Sequence, residues 1–202
     1  MKLLRFGEIG QEKPGVIAQD GTIRDLSEHL CDISGDNLGE ENLKKLGAID
    51  PSTLPIVKKG VRIGAPVANV GKVVAIGLNY RDHAIEAGMP IPAEPIVFMK
   101  ATSALCGPDD GIVIPRNANC VDWEVELAVI IGKKAKYVTK DDAMSHVAGY
   151  SIMNDVSERH FQIEKGGQWV KGKKWPWELE IVYNKQNPHI KKTAEMIYPL
   201  PQ

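Results

Sequence analysis

Residues 121–131, with the sequence VDWEVELAVII, constrain the fold of this chain more than any other segment. Polar and apolar residues alternate at first and the segment ends wholly apolar, which is typical of a strand passing from a site into a core. Side chains at positions i and i+2 of a strand lie on the same face. We therefore predict a sheet in which Glu124 and Glu126 share one face, while Val125 and Leu127 point to the packed face.

The remaining pattern predicts a mixed β fold with a few short helices, of the α+β class. Residues 1–68 are expected to form a small β-rich domain, residues 64–70 a connector, and residues 70–202 a larger domain. The predicted strands cover 3–6, 15–17, 22–23, 72–77, 96–99, 112–114, 121–131 and 147–153. The predicted helices fall within 25–30, 42–46, 78–86 and 140–146, the last with a cap near Thr139.

Composition and charge exclude several classes of protein. The chain has 202 residues, with 25 Lys and Arg against 26 Asp and Glu, so no basic excess is present to bind nucleic acid. Cys31, Cys106 and Cys120 form an odd set without CxxC spacing, which favours reduced thiols over a disulfide frame. No apolar run approaches the roughly 18 residues that span a bilayer. The sequence predicts a soluble, cytoplasmic protein with no membrane or nucleic-acid partner.

The carboxylates of Glu124 and Glu126 are candidate metal ligands. Two carboxylates held together repel each other, and a hard divalent cation relieves that repulsion. Mg²⁺ or Mn²⁺ suits oxygen ligands better than zinc does. Asp155, at the end of an apolar strand, is a candidate third carboxylate. The alternatives are a solvent-facing strand for the glutamates and a helix N-cap for Asp155.

A histidine and a carboxylate are spaced as a possible acid–base pair. On a helix, Glu86 lies three residues after His83 and could hold its imidazole in one tautomer, as a general base requires. The alternative is that His83, beside Asp82, is an ordinary surface residue.

Two basic side chains are candidates for contacting an anionic substrate. Arg159 could bind a carboxylate through its guanidinium fork, or could form an ordinary ion pair with Asp155 or Glu158. Lys173 could polarise a substrate, or could belong with Lys171 and its neighbours to a solvated turn.

Together these segments resemble the fumarylacetoacetate hydrolase superfamily. The resemblance covers roughly residues 70–173 in family order, and residues 1–68 resemble the small leading domain of bacterial-type members. It implies a rolled mixed β-sheet in the larger domain. The resembling stretches are GLNYRDHAIEAG (77–88), EPIVFMK (94–100), VDWEVELAVIIGKKA (121–135), HVAGYSIMNDVSERHFQ (146–162) and GGQWVKGK (166–173).

The resemblance also implies a chemistry and a set of roles. Family members act on small 2-oxo, β-diketo or 2-hydroxy-dienoic acids by C–C hydrolysis, decarboxylation or isomerisation, with a metal that stabilises an enolate. The expected cofactor is Mg²⁺ or Mn²⁺, with Ca²⁺ as a further option. The expected partners are a carboxylate substrate and a second copy in a homodimer. The implied metal ligands are Glu124, Glu126 and Asp155, the implied catalytic residues are His83, Glu86 and Lys173, and the implied substrate contacts are Tyr80, Arg159 and Gln162.

The resemblance weakens after Lys173. Family members continue with a stretch like S-x-D-T-F-G-P-x-G-P, whereas this chain reads KWPWE, and it ends at Gln202, before the family's TGTP region. The comparison predicts a C-terminally incomplete catalytic domain. Two functions are therefore expected as alternatives. One is a metal-dependent enzyme, and the other is a non-catalytic remnant that binds metal or pairs with an intact subunit.

Overall fold

A computed structural model describes residues 1–173 of the chain. It contains nine strands and two α-helices, joined by 3₁₀ turns and one π-helical turn. The strands are β1 (Leu3–Phe6), β2 (Lys13–Ile17), β3 (Ile23–Asp25), β4 (Val73–Gly77), β5 (Ile96–Lys100), β6 (Val121–Asp122), β7 (Val125–Ile131), β8 (Val147–Asn154) and β9 (Ser157–Glu158), and the helices are α1 (Glu40–Gly47) and α2 (Arg81–Glu86). The 3₁₀ turns are Gly35–Asn37, Pro51–Thr53, Thr102–Ala104, Ala143–His146 and Trp169–Gly172, and the π turn is His160–Glu164.

The first three strands form one antiparallel sheet in the order β1–β2–β3. The pairing sets Leu3 opposite Val16 and Gly15 opposite Asp25. An apolar cluster beside this sheet holds the segment together, because burial of large aliphatic side chains is the main stabilising term in folding. Its buried members are Val16, Leu26, Leu30, Ile33, Leu38, Leu46 and Leu54.

Residues 70–173 form three separate two-stranded antiparallel ladders, β4–β5, β6–β9 and β7–β8. In β7–β8, Leu127 pairs with Ile152 and Val129 with Tyr150, with an irregularity between Ile130 and Ile131. Opposite residues of an antiparallel pair share a face. Several side chains on this face are exposed, including Tyr150 at 47% and Ile152 at 77%.

The α+β class predicted from the sequence is confirmed, and most strand positions match within two residues. The prediction of one strand over 121–131 is wrong, because the ladder is interrupted at residues 123–124. There the backbone N–H of Glu124 donates to the side chain of Asn154, and the N–H of Asp155 donates to the carbonyl of Glu124. The chain therefore changes partner from β9 to β8 at this point.

Three shorter predictions differ from the structure. Residues 112–114 form no strand, and residues 27–29 form a turn rather than a helix. The helix predicted over 140–146 is reduced to the 3₁₀ turn Ala143–His146, while Thr139 does accept a hydrogen bond from the Asp142 N–H, as a cap would. Such short segments follow contacts made elsewhere in the chain rather than local propensity.

The predicted division into residues 1–68 and 70–202 stays a prediction. Ile130 and Ala148 pack against the apolar cluster of the first region, so the two regions are in contact. The predictions for 174–202 lie outside the described residues. None of the helices within residues 1–173 is long and apolar enough to cross a membrane.

Candidate functional site

Asp155 lies at the centre of a buried cluster of charged side chains. It follows β8 directly and is only 4% exposed. Its Oδ1 accepts a hydrogen bond from Lys100 Nζ, and its Oδ2 accepts one from Lys173 Nζ at 3.0 Å. The N-cap alternative for Asp155 is wrong, because both carboxylate oxygens bind lysine ammonium groups and β9 follows before the next helical turn.

Glu124 forms the second corner of the cluster. Lys173 Nζ lies 3.0 Å from its Oε2, and Arg159 Nη1 lies 2.6 Å from its Oε1. The hydroxyl of Ser157 donates to Oε1 at 3.1 Å. Burial opposes ionisation of Glu124, but the charge and hydrogen bond of Lys173 and the charge of Arg159 outweigh it, so the pKa of Glu124 is lowered.

Glu126 has a different environment, although only Val125 separates it from Glu124 in the sequence. Its Oε2 accepts a hydrogen bond from Asn79 Nδ2 at 3.2 Å. Burial, together with the negative charges of Glu124 and Asp155, raises the pKa of Glu126 above its ordinary value. Burial and the two neighbouring carboxylates therefore disfavour the ionised form of Glu126.

The loop between β4 and α2 presents Asn79 through an unusual backbone conformation. Leu78 is buried and has a φ of 49°, in the left-handed region that non-glycine residues seldom adopt. Tyr80 follows at the N-cap of α2. Burial and the nearby charge of Glu126 raise the pKa of Tyr80. The contact of Tyr80 with a substrate stays a prediction.

The structure does not join the predicted acid–base pair by a hydrogen bond. His83 and Glu86 both lie on α2 and are exposed, while Ala84 of the same helix is fully buried. Within residues 1–173 no side-chain hydrogen bond links the imidazole to the Glu86 carboxylate. Their acid–base role stays a prediction.

Arg159 and Gln162 form a polar pair beside Glu124. Arg159 Nη1 donates to Gln162 Oε1 at 3.0 Å, and Nε and Nη2 both donate to Asp122 Oδ2, at 2.9 and 2.7 Å. The sequence-based alternative pairing of Arg159 with Asp155 or Glu158 is wrong. Its acidic partners are Asp122 and Glu124, which lie on either side of the break between β6 and β7.

Lys173 is 6% exposed, so the prediction of a solvated turn does not hold for this residue. Its position depends on the preceding glycine. A Cβ atom at Gly172 would lie 2.5 Å from both the Glu158 carbonyl oxygen and the Gln162 Cβ. No other residue fits there without displacing this backbone, so the close approach fixes the chain just before Lys173.

Sequence reasoning missed Lys100 and Phe98. Lys100 ends β5 and is 7% exposed. Both lysine ammonium groups lie near the Phe98 ring, with Lys173 Nζ at 5.2 Å and Lys100 Nζ at 5.7 Å from its centroid, and Trp169 packs edge-on against it at 5.5 Å. Burial lowers the pKa of Lys100, although Asp155 opposes that effect. The only sequence signal was a lysine ending an otherwise apolar strand.

A small cavity of about 40 Å³ adjoins the cluster on the side of Lys100, Asp155 and Lys173. Its lining also includes the apolar side chain of Leu105 and the segment 112–115. The lysine–aspartate group therefore forms part of the wall of this cavity.

The donor set suits a hard divalent cation, with one complication. Glu124, Glu126 and Asp155 supply only carboxylate oxygens, the ligands preferred by Mg²⁺ and Mn²⁺. A cation beside Glu126 would also favour its ionised form, which burial and the neighbouring carboxylates disfavour. However, no group of three or more His, Cys, Asp or Glu side chains within residues 1–173 is arranged to hold a metal. Lys173 Nζ bridges Glu124 and Asp155 instead, so a metal would have to replace or rearrange that contact.

The fold and the cluster define an α+β protein organised around a buried set of acidic and basic groups. Comparison with known proteins agrees with this class. The family model described as the fumarylacetoacetate hydrolase C-terminal domain matches residues 72–199. The chain therefore belongs to the fumarylacetoacetate hydrolase family.

Individual relatives support the same family. A Burkholderia lata protein, provisionally named a hydrolase, is 60% identical over 173 residues, which is 86% of this chain and 61% of that protein. The fumarylacetoacetate hydrolase of Exiguobacterium antarcticum is 32% identical with a TM-score of 0.67, covering 87% of this chain and 62% of that structure. A 5-carboxymethyl-2-hydroxymuconate delta-isomerase from Mycobacterium smegmatis is 29% identical with a TM-score of 0.60, covering 89% and 66%. This chain thus spans about 61% of the length of the curated relatives it matches.

Proposed function

We propose that this chain carries the acid–base site of an enzyme that acts on small 2-oxo, β-diketo or 2-hydroxy-dienoic acids with Mg²⁺ or Mn²⁺. The observation that carries the proposal is the convergence of Glu124, Asp155 and Lys173 with Arg159 in one buried cluster. Burial of several ionised groups at one place is costly and is common at catalytic sites. The named relatives include a hydrolase and an isomerase.

In this proposal Glu124, Glu126 and Asp155 hold the cation. The bound cation would supply Lewis-acid stabilisation of negative charge that develops on a substrate oxygen. Lys173 is released from its bridge between Glu124 and Asp155 and turns its ammonium toward the same developing charge. The close packing of Gly172 fixes the backbone just before Lys173, so the movement is confined to the lysine side chain.

Arg159 and Gln162 are proposed to bind the carboxylate of the substrate. The guanidinium donates to Gln162 and Asp122 in this structure, and its fork matches a carboxylate in shape and charge. Tyr80 is proposed to contact the substrate from the side of Glu126.

His83 is proposed to move a proton between its imidazole nitrogen and water or a substrate carbon. Glu86, one helical turn later on α2, would orient the ring. Because both side chains are exposed in this structure, the proposal requires them to approach each other and the substrate when it binds.

Calorimetric titration of Mn²⁺ into the purified chain tests the metal part of the proposal. We expect saturable binding that Glu124→Ala weakens about 100-fold. Glu94→Ala removes an exposed glutamate within residues 70–173. This control variant should bind Mn²⁺ as tightly as the parent chain does. Turnover of acylpyruvates and oxaloacetate with Mg²⁺ tests the enzymatic part.

The alternative function is a non-catalytic protein of the same family. The bridge from Lys173 to Glu124 and Asp155 favours it, since these carboxylates already have cationic partners. A folded chain that binds Mn²⁺ but converts none of the acids would support this alternative and exclude the enzyme. A folded chain that binds no Mn²⁺ would exclude the metal-dependent proposal altogether.

A further inference from the structure

Glu158 has a carboxylate whose surroundings differ from those of every other acid in the cluster. It is 3% exposed. Its Oε1 accepts hydrogen bonds from the backbone N–H groups of Asn119 at 3.0 Å and Cys120 at 2.8 Å, and its Oε2 accepts one from Phe161 at 2.6 Å. Among the described residues it forms no ion pair with Lys or Arg. A buried anion therefore relies mainly on three peptide groups for its stabilisation.

Those three peptide groups belong to separate pieces of the chain. Asn119 and Cys120 lead into β6, and Phe161 lies in the π turn His160–Glu164. The β6–β9 ladder contains only two residue pairs, Val121 with Glu158 and Asp122 with Ser157. So short a ladder holds its strands weakly, and the Glu158 carboxylate adds three bonds at its end.

The same pieces of chain carry the partners of Arg159. Its backbone N–H donates to the Cys120 carbonyl at 2.8 Å. Its guanidinium contacts Asp122 on β6 at one end and Gln162 on the π turn at the other. Because Glu158 ties β6 to the π turn, it controls the spacing of the two groups that orient the guanidinium.

We propose that Glu158 is a positioning residue that sets the Arg159–Gln162 pair for recognition of a substrate carboxylate. This inference rests on the proposed function, in which Arg159 receives that carboxylate. Glu158 is not one of the proposed metal ligands or substrate contacts, and acts by joining the N–H groups of Asn119 and Cys120 to that of Phe161.

The proposal requires both oxygens of a carboxylate. A glutamine at this position keeps the length of the side chain but supplies one acceptor oxygen, and its NH₂ group would face a backbone N–H. Glu158→Gln therefore loses at least one of the three bonds and loosens the link between β6 and the π turn. Glu164→Gln is the matched control, because Glu164 lies on the same π turn and is exposed, and its one ion pair within residues 1–173 is with His160.

The experiment measures binding of oxalate, a small dicarboxylate probe, to the full chain by calorimetry with Mn²⁺ present. We expect Glu158→Gln to weaken the binding of oxalate about tenfold, while the affinity for Mn²⁺ changes less than about twofold. Glu164→Gln should match the parent in both. In a chain that already carries Arg159→Met, adding Glu158→Gln should cause little further loss, because residues that act through one another are not additive.

Four outcomes would overturn the proposal, and the first three concern oxalate. One is oxalate affinity unchanged in Glu158→Gln, and another is full additivity with Arg159→Met. The third is a parent chain that binds Mn²⁺ but no oxalate. Loss of oxalate and Mn²⁺ binding together would show a general structural role and would also overturn it. Absence of turnover with oxalate binding intact would count against the proposed enzyme alone, so the two failures are distinguishable.

Discussion

The two regions of this molecule are stabilised by opposite means. In residues 1–68 the fully buried large side chains are apolar, with Leu26 at 1% and Ile33 at 2% exposure. In residues 70–173 the buried groups include Lys100, Asp155 and Glu158, while many large apolar side chains are exposed. The interior of the first region is therefore mainly apolar, as in an ordinary protein core. The second buries several charged groups that must be paired, which is a common arrangement at functional sites.

The largest effect should follow from leaving the lysines of the second region without their carboxylate. Asp155→Asn removes the negative charge between Lys100 and Lys173. We expect a loss of about 3–5 kcal/mol in the free energy of unfolding, the usual cost of breaking a buried ion pair. Urea denaturation measures it, with Asp109→Asn as a control at an exposed aspartate. A loss below about 1 kcal/mol would show that water reaches the lysines. The buried charges would then not distinguish the second region from the first.

Truncation in the apolar core should have a somewhat smaller effect. Leu26→Ala leaves a cavity in the cluster of the first region and should cost about 3 kcal/mol in the free energy of unfolding. The Mn²⁺ affinity of the folded variant should stay unchanged, because the charged cluster lies in the other region. Denaturation and calorimetry on one preparation check both. A weakened Mn²⁺ affinity would mean that the packing of Ile130 and Ala148 against this core transmits the damage to the site.

Acidification should weaken an ion-pair network that links the regions. Arg62 contacts Glu12 at 2.9 Å and Asp110 at 2.5 Å. Burial opposes ionisation of both carboxylates, but the hydrogen bonds and charge of Arg62 outweigh it and lower both pKa values from 4.5 and 3.8. Because the unfolded chain takes up protons first, the stabilisation is complete above those ordinary values and is lost as pH falls through the lowered ones.

Arg62→Met should therefore cost about 1 kcal/mol at pH 7 and much less at pH 3. Urea midpoints measured across this range for the parent and the variant provide the check. Parallel curves would show that the network does not cause the acid sensitivity.

The smallest effect on the free energy of unfolding is expected from a substitution on the exposed apolar face of the β7–β8 ladder. Ile152 is 77% exposed, so Ile152→Thr should change the free energy of unfolding by no more than about 0.5 kcal/mol. A loss well above 1 kcal/mol would show that this face is covered in solution. The contrast between the regions would then be smaller than the exposed areas indicate.

The sequence predicts the strands well, but it predicts their partners and interruptions poorly. Strands β4, β5 and β8 follow from uninterrupted apolar runs, because burial of such runs is a local signal. The break at residues 123–124 depends on a bond from Glu124 to Asn154, 30 residues away, and no local pattern contains it. Such contacts override the preference of the segment for one continuous strand.

The site shows the same division between local and distant information. The spacing predicts Glu124 and Glu126 on one strand face, but Glu124 lies just before β7. Their pKa values shift in opposite directions because only Glu124 contacts Lys173 and Arg159. The partners of Lys100 and the three donors to Glu158 were not predictable, since each contact joins residues that propensity and periodicity treat independently. The roles of His83 and Glu86 stay predictions that binding and turnover experiments have to test.

The long sequence separations within the charged cluster also have a consequence for the order of folding. Lys100 and Asp155 are 55 residues apart, and Glu124 and Lys173 are 49 apart. At about 5–20 residues per second, synthesis leaves Lys100 without its carboxylate for roughly 3–11 s. The apolar cluster of residues 1–68 is complete in sequence before that interval begins. The nascent chain can therefore bury the apolar cluster of residues 1–68 early. The charged side chains of the site stay hydrated until Lys173, the last of them in sequence, has been synthesised.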